Sequence, residues 1–256
     1  MSSDAAAVGA ARGKAPFAPF HKWDRNFFLL YVGLIWLGIL MGFGSDLVSH
    51  FAKHRPAYPP IVHFHAAVFV SWLVVLTAQV LLIRTRRHDV HYKLGVAAMG
   101  LAVLMVVLGP ATAIVVHGAE AGTPQDDPAF LSIQLTDIVA FAGLAGAAFL
   151  FRGKAAAHKR LILLATIYIS DAGFARWLGG GFTALFGDGF FGAMASLYLP
   201  SELLAMGLGG YDLATRGKLH PAYVAGLAWM FAMQILAVTL YLSPAWKPVA
   251  LALLGR

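Results

Sequence analysis

The sequence predicts an all-α integral membrane protein, a bundle of about seven transmembrane helices. Of its 256 residues, 59% are hydrophobic and only 12% are charged. A soluble domain has about a quarter of its residues charged, so this chain cannot cover a water-facing surface. Apolar runs of bilayer-crossing length recur along it. Loops rich in lysine and arginine alternate along the chain with loops that are poor in them, as in membrane proteins that cross the bilayer repeatedly.

The apolar runs follow one another from residue 27 to residue 243. The fifth is the shortest and contains two charged residues, Asp171 and Arg176. Residues 1–22 are predicted to be a mobile N-terminal tail, and residues 23–256 a single transmembrane domain. The glycine- and phenylalanine-rich stretch 179–192 is predicted to be an outer loop lying at the membrane interface. The predicted spans are 27–45, 61–83, 94–116, 131–151, 161–178, 193–215 and 224–243.

The basic residues predict the orientation. Fourteen of the nineteen lysines and arginines fall on the side of the N-terminus, and four fall on the opposite side. Cytoplasmic loops are enriched in lysine and arginine, so we expect a cytoplasmic N-terminus and a C-terminus outside. The same bias explains the net charge of +7, and no nucleic-acid partner is predicted. The absence of cysteine excludes disulfides, thiolate metal sites and cysteine nucleophiles.

Two stripes of residues are predicted to face the bundle interior. His65, Trp72 and Gln79 are spaced by seven, which places them on one narrow face of a helix. Polar groups in hydrocarbon are costly and usually face a bundle interior or a cavity. The second stripe has steps of four and three residues, with small residues in its middle that permit close helix packing. It consists of Tyr198, Glu202, Ala205, Gly209 and Asp212.

Four ionisable groups are predicted to lie at one depth, in the outer half of the bundle. They are His65, Asp137, Asp171 and Glu202, and His63 could join them only if its helix begins irregularly. Imidazole and carboxylate are the ligands of zinc, iron and manganese sites, so the cluster predicts a divalent metal centre. The groups predicted to surround these ligands or to orient a substrate are Gln134, Tyr198 and Arg176.

Such a centre predicts a membrane-embedded metalloenzyme, either redox or hydrolytic, that acts on a lipid-soluble or small substrate. The residues alone leave open whether the protein is an enzyme. One alternative is haem binding, because bis-histidine haem needs two imidazoles at similar depth. Candidate ligands for haem are the inner-side His91, His158 and His220, and the outer-side His117.

Two further alternatives stay open. In a proton-linked transporter the carboxylates would bind and release protons. No interruption of a span is apparent in the sequence, which counts against transport. In the other alternative, the protein is a non-catalytic subunit or assembly factor of a larger membrane complex, and the polar residues serve packing between helices.

Several strings resemble those of a group of uncharacterised bacterial multi-span membrane proteins. They are HFHAAVFVSWLVVLTAQVLLI at 63–83, HYKLG at 91–95, AHKRLILLAT at 157–166, DAGFAR at 171–176 and YDLATRGKLHPA at 211–222. More distantly, the His-x-x-Leu-Gly and His-Lys-Arg elements are similar to those of the domain-of-unknown-function group DUF2306. The resemblance covers most of residues 60–235; it implies a location in a bacterial inner membrane and no particular activity. It implies that the motif positions are His63, His65, Trp72, Gln79, His91, Asp137, His158, Arg160, Asp171, Arg176, Asp212 and His220; Glu202 lies outside these motifs.

Overall fold

The computed structural model describes residues 16–256, and the regular secondary structure of this part of the chain is entirely helical, with no strand. Within these residues nine α-helices are joined by short connections, and a single 3-10 turn, Pro128–Phe130, precedes the fourth helix. The helices are α1 (Asp24–Ala52), α2 (Pro60–Arg84), α3 (His88–Glu120), α4 (Leu131–Leu150), α5 (Ala155–Ile169), α6 (Asp171–Phe186), α7 (Phe190–Arg216), α8 (Pro221–Tyr241) and α9 (Trp246–Leu253).

Six helices in the described residues are long and apolar enough to cross a membrane: α1, α2, α3, α4, α7 and α8. The pair α5 and α6 passes the same test together, and the two halves are bent by 48° at the break between them. Counted as one span, this pair is the seventh. The prediction of an all-helical membrane bundle with about seven spans is therefore confirmed in part: the described residues form six to seven apolar helices of membrane-spanning length.

The fifth span differs from the prediction. The stretch 179–192 was expected to be a loop, but α6 continues through the glycines to Phe186. The span is also broken at Ser170, which the sequence did not indicate. The Ser170 hydroxyl donates to the carbonyl of Ile167, 2.7 Å away, and such back-bonding by serine tends to bend a helix.

Glycines allow α1 and α6 to touch through their backbones. A Cβ added at Gly42 would lie 1.9 Å from the carbonyl oxygen of Gly173, and one at Gly38 would meet the ring of Phe174. Gly38 and Gly42 are four residues apart, as in the small-residue motif that brings membrane helices together. This contact holds the second half of the broken span against the first helix.

Apolar side chains form both the core and the outer surface. Met105, Phe141 and Leu164 are fully buried. Leu40 and Val103 are more than half exposed on the helix surfaces, as expected of side chains that face lipid. The predicted stripe on α7 does face the interior, and all five of its members are buried: Tyr198, Glu202, Ala205, Gly209 and Asp212.

The start of α1 and the C-terminus lie at opposite ends of the bundle. Asp24 of α1 accepts from Lys159 at 2.6 Å and from Arg216 at 2.8 Å, at what we call the N-terminal end. Arg256 pairs with Asp126 of the α3–α4 connection at the other end, which we call the C-terminal end. Most of the predicted tail 1–22 lies outside the described residues. Its remainder rests on the N-terminal end, where Lys159 Nζ donates to the Pro19 carbonyl at 2.6 Å.

Candidate functional site

Three carboxyl groups from different helices come together in the C-terminal half of the bundle. Asp171, the first residue of α6, is 3% exposed, and Glu202 of α7 is 5% exposed. Asp171 lies within electrostatic range of both Glu202 and Asp137 of α4. We call Asp137, Asp171 and Glu202 the carboxyl cluster. It places three of the predicted metal ligands in one region.

Uncharged polar side chains surround the carboxyl cluster. The Tyr198 hydroxyl lies 3.4 Å from Asp137 Oδ1, and Gln234 Nε2 donates to Glu202 Oε1 at 2.6 Å. The Tyr168 ring centre is 6.1 Å from that of Tyr198. Four buried polar atoms here have no hydrogen-bond partner among the described residues: Asp171 Oδ2, Glu202 Oε2, Tyr168 OH and Gln234 Oε1.

No lysine or arginine within residues 16–256 forms an ion pair with these carboxyls; Arg176 lies within electrostatic range of Asp171 but does not contact it. An uncompensated buried carboxylate is costly in a membrane interior. The cluster therefore needs protons or a bound cation to remain in place, and its unpaired oxygens are available to either.

The predicted metal centre is not assembled as a ligand set. In the part of the chain that the structure describes, no three His, Asp or Glu side chains are placed to hold one ion. His65 stacks on Phe69 at 4.0 Å, its Nδ1 has no partner, and Arg176 is the charged group in its electrostatic range. His63 is exposed and its ring lies 6.5 Å from that of Tyr58. Metal binding stays a prediction.

The other groups expected around the metal differ in what they contact. Tyr198 does reach Asp137, as described above. Gln134 is hydrogen-bonded through Oε1 to His117 Nε2, 2.8 Å away, in the last turn of α3. Arg176 is exposed; it donates to the Ala172 carbonyl at 2.7 Å and covers the Phe43 ring at 4.6 Å. Neither Gln134 nor Arg176 is hydrogen-bonded to the carboxyl cluster.

Two helix irregularities lie beside the carboxyl cluster. Asp171 directly follows the break at Ser170. Pro200 lies inside α7, two residues before Glu202, and has no N–H to donate to the carbonyl four residues earlier. Interrupted helices at membrane depth are typical of ion and substrate sites in transporters. The sequence showed no interrupted span, which counted against transport, but the structure has one at Ser170.

The four candidate haem ligands are spread over both ends. His91 and His158 lie within electrostatic range of each other at the N-terminal end, and His158 Nδ1 donates to the Ala148 carbonyl at 2.8 Å. His220 caps α8, because its Nδ1 accepts from the Ala222 N–H at 3.0 Å. His117 belongs to the opposite end. Only His91 and His158 come together.

A dense network of charges closes the N-terminal end. Arg160 and Asp212 form a fully buried ion pair, and Arg216 bridges Asp212 and Asp24. The Phe17 ring covers both guanidinium groups, at 4.4 Å from Arg160 and 5.4 Å from Arg216. These side chains satisfy one another, so we interpret the network as structural.

Sequence reasoning missed two members of the site. Gln234 is a polar residue within an apolar span, and this position could have identified it as a member of the site. Its partner Glu202 was identified from the sequence. Tyr168 offered no pattern, since a tyrosine near the middle of a span is as often part of the core. Tyr168 lies within electrostatic range of all three carboxyls of the cluster.

Comparisons with known proteins add no assignment. No family model, curated protein or solved structure matches this chain.

Proposed function

We propose that this protein is a proton-linked membrane carrier, in which the carboxyl cluster binds and releases protons as a small solute crosses. The observation that carries the proposal is the 48° bend between α5 and α6. It places Asp171 at the start of a half-helix, beside Asp137 and Glu202.

A broken span supports carrier function for two physical reasons. The break frees backbone groups that can contact an ion or solute, which membrane interiors tolerate only beside polar surroundings. It also separates two rigid halves that can change their angle, as alternating access requires. Here α6 packs on α1 through glycines, so the second half of the span can move with α1.

The neighbouring hydroxyl and amide groups suit proton movement. Tyr198 can donate to Asp137, and Gln234 holds one oxygen of Glu202 while the other has no partner. Tyr168 adds a hydroxyl with no fixed partner. Groups that can exchange partners are needed when a proton passes from one carboxyl to another.

The proposal includes an orientation of the bundle in the membrane. We infer that the N-terminal end faces the cytoplasm, because twelve of the seventeen lysines and arginines in residues 16–256 lie toward that end. The carboxyl cluster then lies in the outer half of a bacterial inner membrane. The resemblance to uncharacterised bacterial membrane proteins is in keeping with this location.

Proton flux into proteoliposomes tests the proposal. Purified protein is reconstituted with a trapped pH-sensitive dye, the membrane potential is clamped, and the outside is acidified with or without mixtures of amino acids, organic acids and inorganic cations. We expect the wild type to acidify the lumen with one solute mixture. Asp137→Asn and Asp171→Asn should abolish this flux, because an amide cannot bind and release the proton.

Asp89→Asn is the matched control, because Asp89 is exposed at the start of α3, far from the carboxyl cluster. It should retain the wild-type flux. Flux equal to that of empty liposomes with every mixture, or full flux in both cluster variants, would contradict the proposal. Stoichiometric metal in the wild type that is lost in Asp171→Asn would support the metal centre instead.

A second candidate function is haem binding by His91 and His158. It is favoured by the hydrogen bond from His158 Nδ1 to the Ala148 carbonyl, which leaves Nε2 free as a ligand. The absorption spectrum of the purified protein tests it. A Soret band that disappears in His91→Ala but not in His88→Ala, a change in an exposed neighbour, would support haem. Stable protein partners without flux or pigment would support a subunit or assembly role.

A further inference from the structure

An apolar groove runs along the outer surface between α4 and α8 at the N-terminal end. Its volume is about 330 Å³. Gly143 and Ala147 of α4 form one wall and Ala225 of α8 forms the other, so small residues leave the space open. Trp229 limits it toward the middle of the bundle, where its indole N–H donates to the Ala140 carbonyl at 3.3 Å.

The groove ends beside two basic side chains. Phe151 lines it at the N-terminal end, and Lys154 Nζ lies 5.4 Å from the centre of the Phe151 ring. Arg152 lies between them in sequence and donates to the Phe149 carbonyl at 3.2 Å. Both basic side chains are exposed, and within residues 16–256 neither forms an ion pair with an acidic residue.

We propose that this groove binds an anionic phospholipid. The acyl chain lies between α4 and α8, and the headgroup phosphate contacts Arg152 and Lys154. An apolar groove within a membrane-spanning segment faces acyl chains, and basic residues at the membrane boundary attract anionic headgroups. The charge at the mouth thus selects an anionic lipid over a zwitterionic one. This inference is independent of proton transport.

The polar and apolar parts of the site contribute differently. Removing the charges should weaken binding of anionic lipid while leaving the acyl-chain contacts intact. Filling the groove should weaken binding of any phospholipid. A substitution at Ala225 fills it without touching the core, because Ala225 is exposed.

Lipid titrations of the detergent-purified full-length protein, followed by native mass spectrometry, test the proposal. The probes are phosphatidylglycerol and phosphatidylcholine with identical acyl chains. We expect one phosphatidylglycerol to bind preferentially. The double variant Arg152→Gln with Lys154→Gln should weaken its binding by roughly five-fold per charge removed. Ala225→Phe should reduce binding of both lipids.

The matched control is Arg86→Gln with Lys93→Gln, which removes two exposed charges at the same end but away from the groove. It should bind phosphatidylglycerol as the wild type does. Equal binding of the two lipids by the wild type would overturn the proposal. So would an equal loss in the control pair, or unchanged binding in a folded Ala225→Phe variant.

Discussion

Arg160 of α5 and Asp212 of α7 form an ion pair in which both side chains are completely inaccessible to solvent. Arg160 Nε donates to Asp212 Oδ2 at 2.6 Å, and a second, shorter contact joins Nη2 to Oδ1. Arg160 also donates to the Ala156 carbonyl at 2.7 Å. The pair joins the first half of the broken span to the helix that carries Glu202.

Asp212→Ala should strongly destabilise the protein, because it leaves a buried guanidinium without its partner. Removing one member of a buried pair typically costs about 3–5 kcal/mol. Thermal unfolding in detergent measures the loss. The double variant Arg160→Met with Asp212→Leu should be more stable than the single variant, since no charge is left buried. A single variant as stable as the wild type would contradict a structural role for the pair.

Gly42→Ala should weaken the contact of α1 with α6. The added Cβ would overlap the Gly173 carbonyl, which is backbone and cannot rotate away. Overpacking of this kind costs about 1–3 kcal/mol. Gly33→Ala is the control on the same helix, where a Cβ would meet nothing within 4 Å. Unfolding midpoints should fall for the first variant only. Equal midpoints would show that the helices do not pack as closely as described.

Gln234→Leu should destabilise the carboxyl cluster, because it removes the 2.6 Å hydrogen bond to Glu202. Leaving a buried acceptor without its donor costs about 1–3 kcal/mol. Replacing both residues by leucine should recover most of the stability, since neither polar group is then buried alone. Unfolding of the two variants in detergent measures the difference. A double variant less stable than Gln234→Leu would contradict the pairing.

Acid should release the C-terminal segment. The Arg256 guanidinium contacts both oxygens of Asp126, at 2.9 and 2.7 Å, and holds the pKa of that carboxyl well below its usual range. A carboxyl with a lowered folded-state pKa stabilises the contact above its ordinary pKa, and this contribution is lost as pH falls through the lowered value.

A spin label reports this release, because the chain has no cysteine and Leu253 is exposed. With Leu253→Cys labelled, mobility should stay low at neutral pH and rise only in strong acid. Adding Arg256→Gln should return the pKa of Asp126 toward its usual range and raise the mobility at neutral pH. Identical mobility in both proteins at every pH would disprove the contact.

The periodicity of apolar and polar residues predicted much of the fold, because the helices and their buried faces depend on local sequence. The apolar runs identified the long helices, and the stripe from Tyr198 to Asp212 identified the buried face of α7. The break at Ser170 could not be predicted in this way. Serine and aspartate are tolerated within helices, and the bend depends on a side-chain bond and on glycine contacts with a distant helix.

The site was predicted only in part for a similar reason. Depth counting placed Asp137, Asp171 and Glu202 at one level, and the structure brings them together. The depth of a residue does not show which way its side chain points around the helix, so it cannot tell which side chains of different spans meet. Gln134 was therefore expected beside Asp137 but is bonded to His117. His65 lies within range of a cation instead of a carboxylate.

Infrared spectroscopy of the carboxyl groups tests the central claim most directly. The carbonyl stretch of a protonated carboxylic acid absorbs at a different frequency from the stretches of a carboxylate. Labelling aspartate with ¹³C shows which of these bands come from aspartate. We predict protonated carboxyl bands that disappear between acidic and alkaline buffer, with one aspartate band lost in Asp171→Asn and retained in Asp89→Asn. The absence of any titrating protonated band, or identical bands in wild type and Asp171→Asn, would contradict proton exchange at the carboxyl cluster.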